Sequence, residues 1–212
     1  MPADLLITFA QPPPQAPAAA GVHWREQCAA ALALVPGVVA TRSFAVNVVL
    51  GERTPAFYPA LVMCELDDGV YDPRAAAAAL ASPDGPAVAA WEARSIGARS
   101  DFELPDHLYL QFSANPPSMR FEEYSDWYQF HQDENIAQSE VLVRGWRYQL
   151  EPFGEGELPG PTHLALYELD GDLETLTRDL GRAMEAGRIS LPDWFTRFAS
   201  LEGVAVGERT TG

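Results

Sequence analysis

Along the chain, stretches in which hydrophobic positions recur every second residue trade off with stretches in which they recur every third or fourth. "LLITF" (5–9) and "LYLQF" (108–112) are apolar runs of strand length. "HLALYEL" (163–169) alternates, placing His163, Ala165, Tyr167 and Leu169 on one face and Leu164, Leu166 and Glu168 on the other. Residues 140–150, rich in Val, Leu, Trp and Tyr, predict a further strand, and "LEGVAVGERT" (201–210) predicts another. Between them, "PPSMRFEEYSDWYQFHQDENIA" (116–137) carries a helix. "DLETLTRDLGRAMEAG" (172–187) predicts a second one, opened by acidic residues and closed by Gly187. "FGEGELPGP" (153–161) reads as the Gly/Pro connection of a hairpin.

The same order is written twice. "LLITF" and "LYLQF" lie 103 residues apart, as do "CELDDG" (64–69) and "YELDGD" (167–172), and Trp24 and Trp127; Phe44 and Tyr148 lie 104 apart. Matches in one order at one spacing predict a tandem duplication. The expected copies span 1–104 and 105–212. In the first, the second helix is expected near 73–81, the last strand near 96–103, and "QPPPQAPAAA" (11–20) is a loop. Each copy reads strand, helix, strand, strand, helix, strand. The expected fold is therefore α+β: two βαββαβ repeats, each a four-stranded antiparallel sheet with both helices on one face. The two bare apolar sheet faces then cover each other in a closed barrel-like core. A chain that pairs its own copies can be monomeric, with further homodimerisation left open.

Composition removes several classes. The 212 residues carry a formal net charge of −16, so neither nucleic acid nor an anionic membrane is expected as a partner. With 47% hydrophobic and 21% charged residues, the chain is expected to fold. No lysine occurs, which removes Schiff-base chemistry and a Walker lysine. Cys28 and Cys64 make no disulfide framework. The start, "MPADLLITFAQPPP", lacks the basic region of a signal peptide, and no stretch approaches the roughly 18–20 apolar residues of a membrane span. A cytoplasmic protein is expected. There is no G-x-G-x-x-G after a strand, no G-x-S-x-G, and no second pair of ligands to join His131 and Glu134 in a metal site.

The chemistry concentrates in "WYQFHQDENIAQ" (127–138). On a helix, Tyr124, Trp127, Tyr128, His131, Glu134 and Asn135 share a face, while Glu122, Asp126, Gln129 and Asp133 turn away. An imidazole titrates near neutral pH and suits proton transfer; Glu134 or a tyrosine hydroxyl could set its tautomer. The same positions also read as core packing, with His131 bonded to a backbone carbonyl. His163 shares the alternate face of Tyr167 and could reach the same cavity. Arg147 could hold a substrate carboxylate or pair with a surface glutamate. His23, His107 and Cys28 read as capping, surface and core residues.

The element order, with "W-Y-x-x-H" (Trp127, Tyr128, His131), "GWRY" (145–148) and "LALYEL" (164–169), resembles the dimeric α+β barrel superfamily, nearest its EthD-like branch. The resemblance implies ferredoxin-like units paired into a barrel. It also implies cofactor-free cyclases, decarboxylases or monooxygenases of aromatic, polyketide-like molecules, muconolactone isomerases, or haem enzymes. The sequence departs from the branch at Asp133, where a proline is common, and at "QSEV", where Pro-Gly is common. The first copy keeps Pro36-Gly37 but has Cys28 where the second has His131, so one site per chain is expected, in the second copy.

Three functions follow. The first is a cofactor-independent cyclase, isomerase, dehydratase or decarboxylase acting on a small hydrophobic, aromatic or polyketide-like molecule. His131 is its general acid/base, Tyr128 or Tyr167 its oxyanion donor, and Trp127, Trp146, Tyr148 and Tyr124 its walls. The second is a non-catalytic carrier or accessory protein with the same pocket. The third is a haem protein with His131 or His163 as axial ligand.

Overall fold

Near-continuous apolar runs such as "LLITF" and "ALVMCEL" mark strands buried on both faces. A computed structural model describes residues 4–11, 19–50, 60–67, 69–81, 87–96, 102–153 and 160–211. The elements run β1 (Asp4–Gln11), α1 (Ala19–Leu32), β2 (Val38–Leu50), β3 (Ala60–Leu66), α2 (Pro73–Leu80) and β4 (Ala87–Ile96). They continue with β5 (His107–Ala114), α3 (Phe121–Gln138), β6 (Leu142–Pro152), β7 (His163–Leu169), α4 (Leu173–Glu185), β8 (Thr196–Ala205) and the two-residue β9 (Thr210–Thr211). The fold is α+β.

Eight strands form a closed antiparallel barrel in the order β3-β1-β4-β6-β7-β5-β8-β2, with β2 returning to β3 and β9 added alongside β2. Closure leaves no long unpaired edge among these strands. One face of each strand points into the barrel. There Leu5, Ile7 and Phe9 of β1 meet Leu108, Leu110 and Phe112 of β5, with Phe9 and Phe112 edge to face at 6.1 Å.

The outward faces are covered by helices. Leu6, Val62 and Cys64 pack under α1 and α2 through Cys28, Leu32 and Ala76. Tyr109, Ala165 and Tyr167 pack under α3 and α4 through Tyr124, Tyr128 and Leu176. The helix ends follow local rules. Asp72 accepts bonds from the Arg74 and Ala75 amides ahead of a proline at the first helical position. Asp172 accepts from the Thr175 amide at 2.7 Å, and Gly187, at φ +68°, follows the end of α4.

Two expected strands are displaced. The last strand of the first half is Ala87–Ile96, not 96–103, and that of the second is Thr196–Ala205, not 201–210. Trp91, Ala93, Ala199 and Leu201 supply the inward residues, whereas "VGERT" leaves the barrel through a turn with Gly207 at φ +78°. The hairpin tip 154–159 and most of the loop 11–20 lie outside the described residues. Among those described, no helix is long and apolar enough to cross a membrane.

Candidate functional site

Helix α3 is set against the sheet by its own three-and-four periodicity. Tyr124, Tyr128, His131 and Asn135 form its buried line, with Ser125 and Gln132 beside it. Three contacts fix its height. The Tyr124 hydroxyl donates to Ser113 Oγ at 2.8 Å. Arg147 Nη1 donates to the carbonyl and, at 2.8 Å, the hydroxyl of Ser125. Gln132 Nε2 donates to the Trp146 carbonyl at 3.3 Å. That last contact needs Gly145, because a Cβ there would sit 2.5 Å from Gln132 Nε2 and 3.1 Å from the Tyr167 ring.

Between α3, α4, β5, β8 and the end of β2 lies a cavity of about 80 Å³. Its polar wall is His131, Asn135, Gln111, Tyr109 and Arg197, with Thr177 across from them on α4. Leu176, Leu180, Met184, Ile189, Leu191 and Val49 make the apolar wall. Among the described residues, no aspartate or glutamate lines it.

His131 is 2% exposed and stacks on Trp127, ring centroids 5.0 Å apart and planes 10° apart. Its Nδ1 lies 4.0 Å from Glu134 Oε2, too far for a hydrogen bond, and has no other partner. Burial, and secondarily the charge of Arg197, push its pKa down to about 4. At pH 7 the neutral imidazole therefore outnumbers the imidazolium about a thousandfold. At working pH the ring is poised to accept a proton at its bare nitrogen, and very little imidazolium is present to act as an acid.

Arg197 reaches the cavity through a β-bulge. Phe112 pairs with Ala199, but Ser113 pairs with Arg197, so Phe198 is the extra residue. Strict alternation would send Arg197 to the same face as Ala199, into the barrel; the bulge re-aims it toward the helices. With the Gln111 amide turned to satisfy its neighbours, its oxygen accepts from Arg197 Nε (3.0 Å) and Nη2 (3.3 Å), and its nitrogen donates to Tyr128 Oη at 3.0 Å. Tyr128 interacts in turn with the Tyr167 hydroxyl, which Asn135 Nδ2 also reaches at 3.2 Å. A hydrogen-bonded chain thus runs from Arg197 under the cavity floor to α3. Burial pushes both tyrosine hydroxyls up, so they stay protonated.

Several expected site residues stand elsewhere. Trp146 and Tyr148 are not beneath α3 but inside the barrel, packed on Phe102 at 5.1 and 6.2 Å. A bulge between Leu142 and Arg144 moves the alternation by one, so that Gly145 pairs with Tyr167 on the helix-covered face and Trp146 pairs with Leu166 on the barrel face. Arg147 does face the helices, yet it is buried and occupied by Ser125 rather than lining the cavity. His163 is fully buried beneath α3, 4.3 Å from the Tyr128 ring and 5.5 Å from that of Tyr124, and neither nitrogen has a partner. Burial, and then Arg147, push its pKa down to about 3.

Tyr128, Tyr167 and Tyr124 lie under the floor rather than in the wall. Trp127 backs His131 and packs on Trp194 at 4.7 Å; Glu134 is half-buried beside the imidazole. In the first half, burial pushes the Cys28 thiol up to about 12, with Thr8 Oγ1 3.8 Å away, so this position packs and does not react. The sequence reading missed Arg197 and Gln111. Its one signal for Gln111 was a polar residue inside "LYLQF", and it had none for Arg197, whose strand it began too late.

A haem group does not fit these residues. His163 is sealed behind two tyrosines, and an 80 Å³ space falls well below the roughly 300–1,000 Å³ of pockets that enclose even drug-sized ligands.

No family model matches the chain, and no curated protein matches it. Solved structures do. The chain is similar to a candidate chlorite dismutase at 11% identity and TM-score 0.51, over 98% of this chain and 96% of that one. It is also similar to an anthrone oxidase-like protein, 9% identical with TM-score 0.49 over 98% and 92%. A third is a candidate monooxygenase from Lactobacillus acidophilus NCFM, 8% identical with TM-score 0.44 over 97% and 100%. At such identities the likeness is one of fold alone: an α+β architecture in which helices cover a closed antiparallel barrel.

Proposed function

We propose that this protein is a small-molecule enzyme that works without a cofactor, using His131 as a general base in the cavity between α3 and α4. The observation that carries the reading is a neutral, 2%-exposed imidazole lining a mostly apolar cavity. In the simplest case the imidazole takes a proton from a carbon next to a carbonyl. The C–H electron pair moves into the new C=C bond while the carbonyl pair moves to oxygen, giving an enolate and imidazolium. With a neighbouring C=C the enolate is a dienolate, and returning the proton to its far carbon completes an isomerisation. With a β-hydroxyl, the enolate pair re-forms the carbonyl as the hydroxyl leaves with the imidazolium proton as water, which completes a dehydration. Cyclisation uses the same carbanion as nucleophile on a second carbonyl, whose oxygen takes the imidazolium proton. Decarboxylation reaches an enolate instead by breaking the bond to a β-keto carboxylate, which leaves as CO2, and the enolate carbon then takes a proton from water. Asn135 and Gln111 amides orient the substrate, and the leucine wall holds its apolar part while excluding water. A whole aromatic ring is enclosed only if Met184, exposed at the rim, swings aside, since an apolar cavity that takes up benzene measures about 150 Å³.

The same proposal takes the two halves as tandem ferredoxin-like copies of an EthD-like ancestor, acting as a cytoplasmic monomer. What supports the duplication is the common spacing of about a hundred residues together with the matching strand orders β4-β1-β3-β2 and β8-β5-β7-β6.

The test needs no prior substrate. Small carbonyl compounds are incubated with the protein in D2O and C–H to C–D exchange is read by NMR. The wild type is expected to catalyse exchange in at least one, and His131→Ala, folded by circular dichroism, to lose about 10²–10⁴-fold. A fully active His131→Ala removes the role. Binding without exchange would make the protein a carrier.

A further inference from the structure

We propose that the cavity selects anions, short-chain carboxylates or the acid end of a longer molecule, and that Arg197 is the residue that selects them. The inference rests on the reading of this cavity as the substrate site and adds the class of substrate.

Charge is the first argument. Thirty acidic residues face fourteen arginines, and several of those arginines are paired: Arg42 with Asp106, Arg144 with Glu168, Arg178 with Asp179, and Arg209 with both Glu65 and Glu103. Arg197 forms no such pair among the described residues, although acids outnumber bases by about two to one. It is half-buried, and it borders a cavity that no carboxylate of the described residues lines. A bound anion would meet one full positive charge and no fixed negative one. A neutral ligand would leave that guanidinium partly desolvated without a counter-charge.

The second argument is placement. One irregularity of the chain and one buried polar side chain converge on this guanidinium. The bulge at Phe198 turns it out of the barrel, and Gln111 then holds its Nε and Nη2. Gln111 is 2% exposed and is itself fixed by Tyr128, which the Tyr167 and Asn135 network holds in turn. The guanidinium has five N–H donors, and Gln111 uses two, leaving the others for a ligand. Phe195 carries the guanidinium on its ring face at 6.0 Å. A head group held this firmly before binding costs little to order when the ligand arrives.

Size and shape give the third. The cavity, about 80 Å³, is smaller than one that encloses a benzene ring and suits a branched chain of a few carbons. Met184 and Leu191, 44% and 37% exposed, flank the route to solvent, so a longer tail would leave between them.

The experiment is isothermal titration of the full chain with sodium isovalerate and with isovaleramide, its neutral isostere. The wild type is expected to bind the acid at least about tenfold more tightly than the amide. Arg197→Gln is expected to bring that ratio to about one. Arg197→Met, which keeps the aliphatic stem over Phe195, is expected to do the same and serves if the first variant does not fold. Absence of exchange by the wild type, with its acid preference and the Arg197 dependence of that preference retained, sinks only the proton-transfer reading. Equal binding of acid and amide by the wild type, binding of neither, or an unchanged ratio in the folded Arg197 variants overturns the inference.

Discussion

Two histidines buried in neutral form make stability depend on pH in a calculable way. His131 and His163 have native pKa values of about 4 and about 3, against about 6.5 in the unfolded chain. Between those limits the unfolded state binds protons that the native state refuses, so stability falls as pH falls. The loss begins as pH drops through about 6.5 and levels off only below the native values. From pH 7 to pH 5 each histidine removes about 2 kcal/mol, and the pair about 4 kcal/mol, a large fraction of the stability of an ordinary domain. Glu92, raised by burial, acts in the opposite sense and offsets part of the loss.

The assay is urea unfolding at pH 7 and pH 5 at one ionic strength, followed by tryptophan fluorescence. The His131→Gln/His163→Gln double variant should lose less than about 1 kcal/mol over the same interval, because neither position then titrates. A wild type equally stable at both pH values refutes the reasoning. So does a double variant that falls as steeply as the wild type.

Gly145→Ala should destabilise by about 2 kcal/mol, since the new methyl displaces Gln132 and breaks its bond to the Trp146 carbonyl; adding Gln132→Ala should recover part of the loss in the same unfolding assay. Cys28 and Cys64, both buried with thiols pushed up, should react with a thiol reagent only at the rate of unfolding; prompt labelling of the native protein would contradict the packing under α1.

Local rules were enough to lay out the elements and the buried line of α3. Three-and-four spacing put Tyr124, Tyr128, His131 and Asn135 on one face, and period two put His163 and Tyr167 together on β7, because both periodicities are properties of a few consecutive residues. The expectation of a closed, barrel-like core needed only the order of strands and helices, and eight antiparallel strands do close into a barrel. What the sequence could not reveal was where alternation breaks. The bulge at Val143 sends Trp146 and Tyr148 into the barrel and leaves Gly145 under α3, and the bulge at Phe198 brings Arg197 out to the cavity. A bulge is defined by the strand opposite, so one chain segment read alone carries no mark of it. The same holds for pKa: a histidine in "WYQFH" reads as a group titrating near neutrality, and only the tertiary burial that removes its water turns it into a base held neutral.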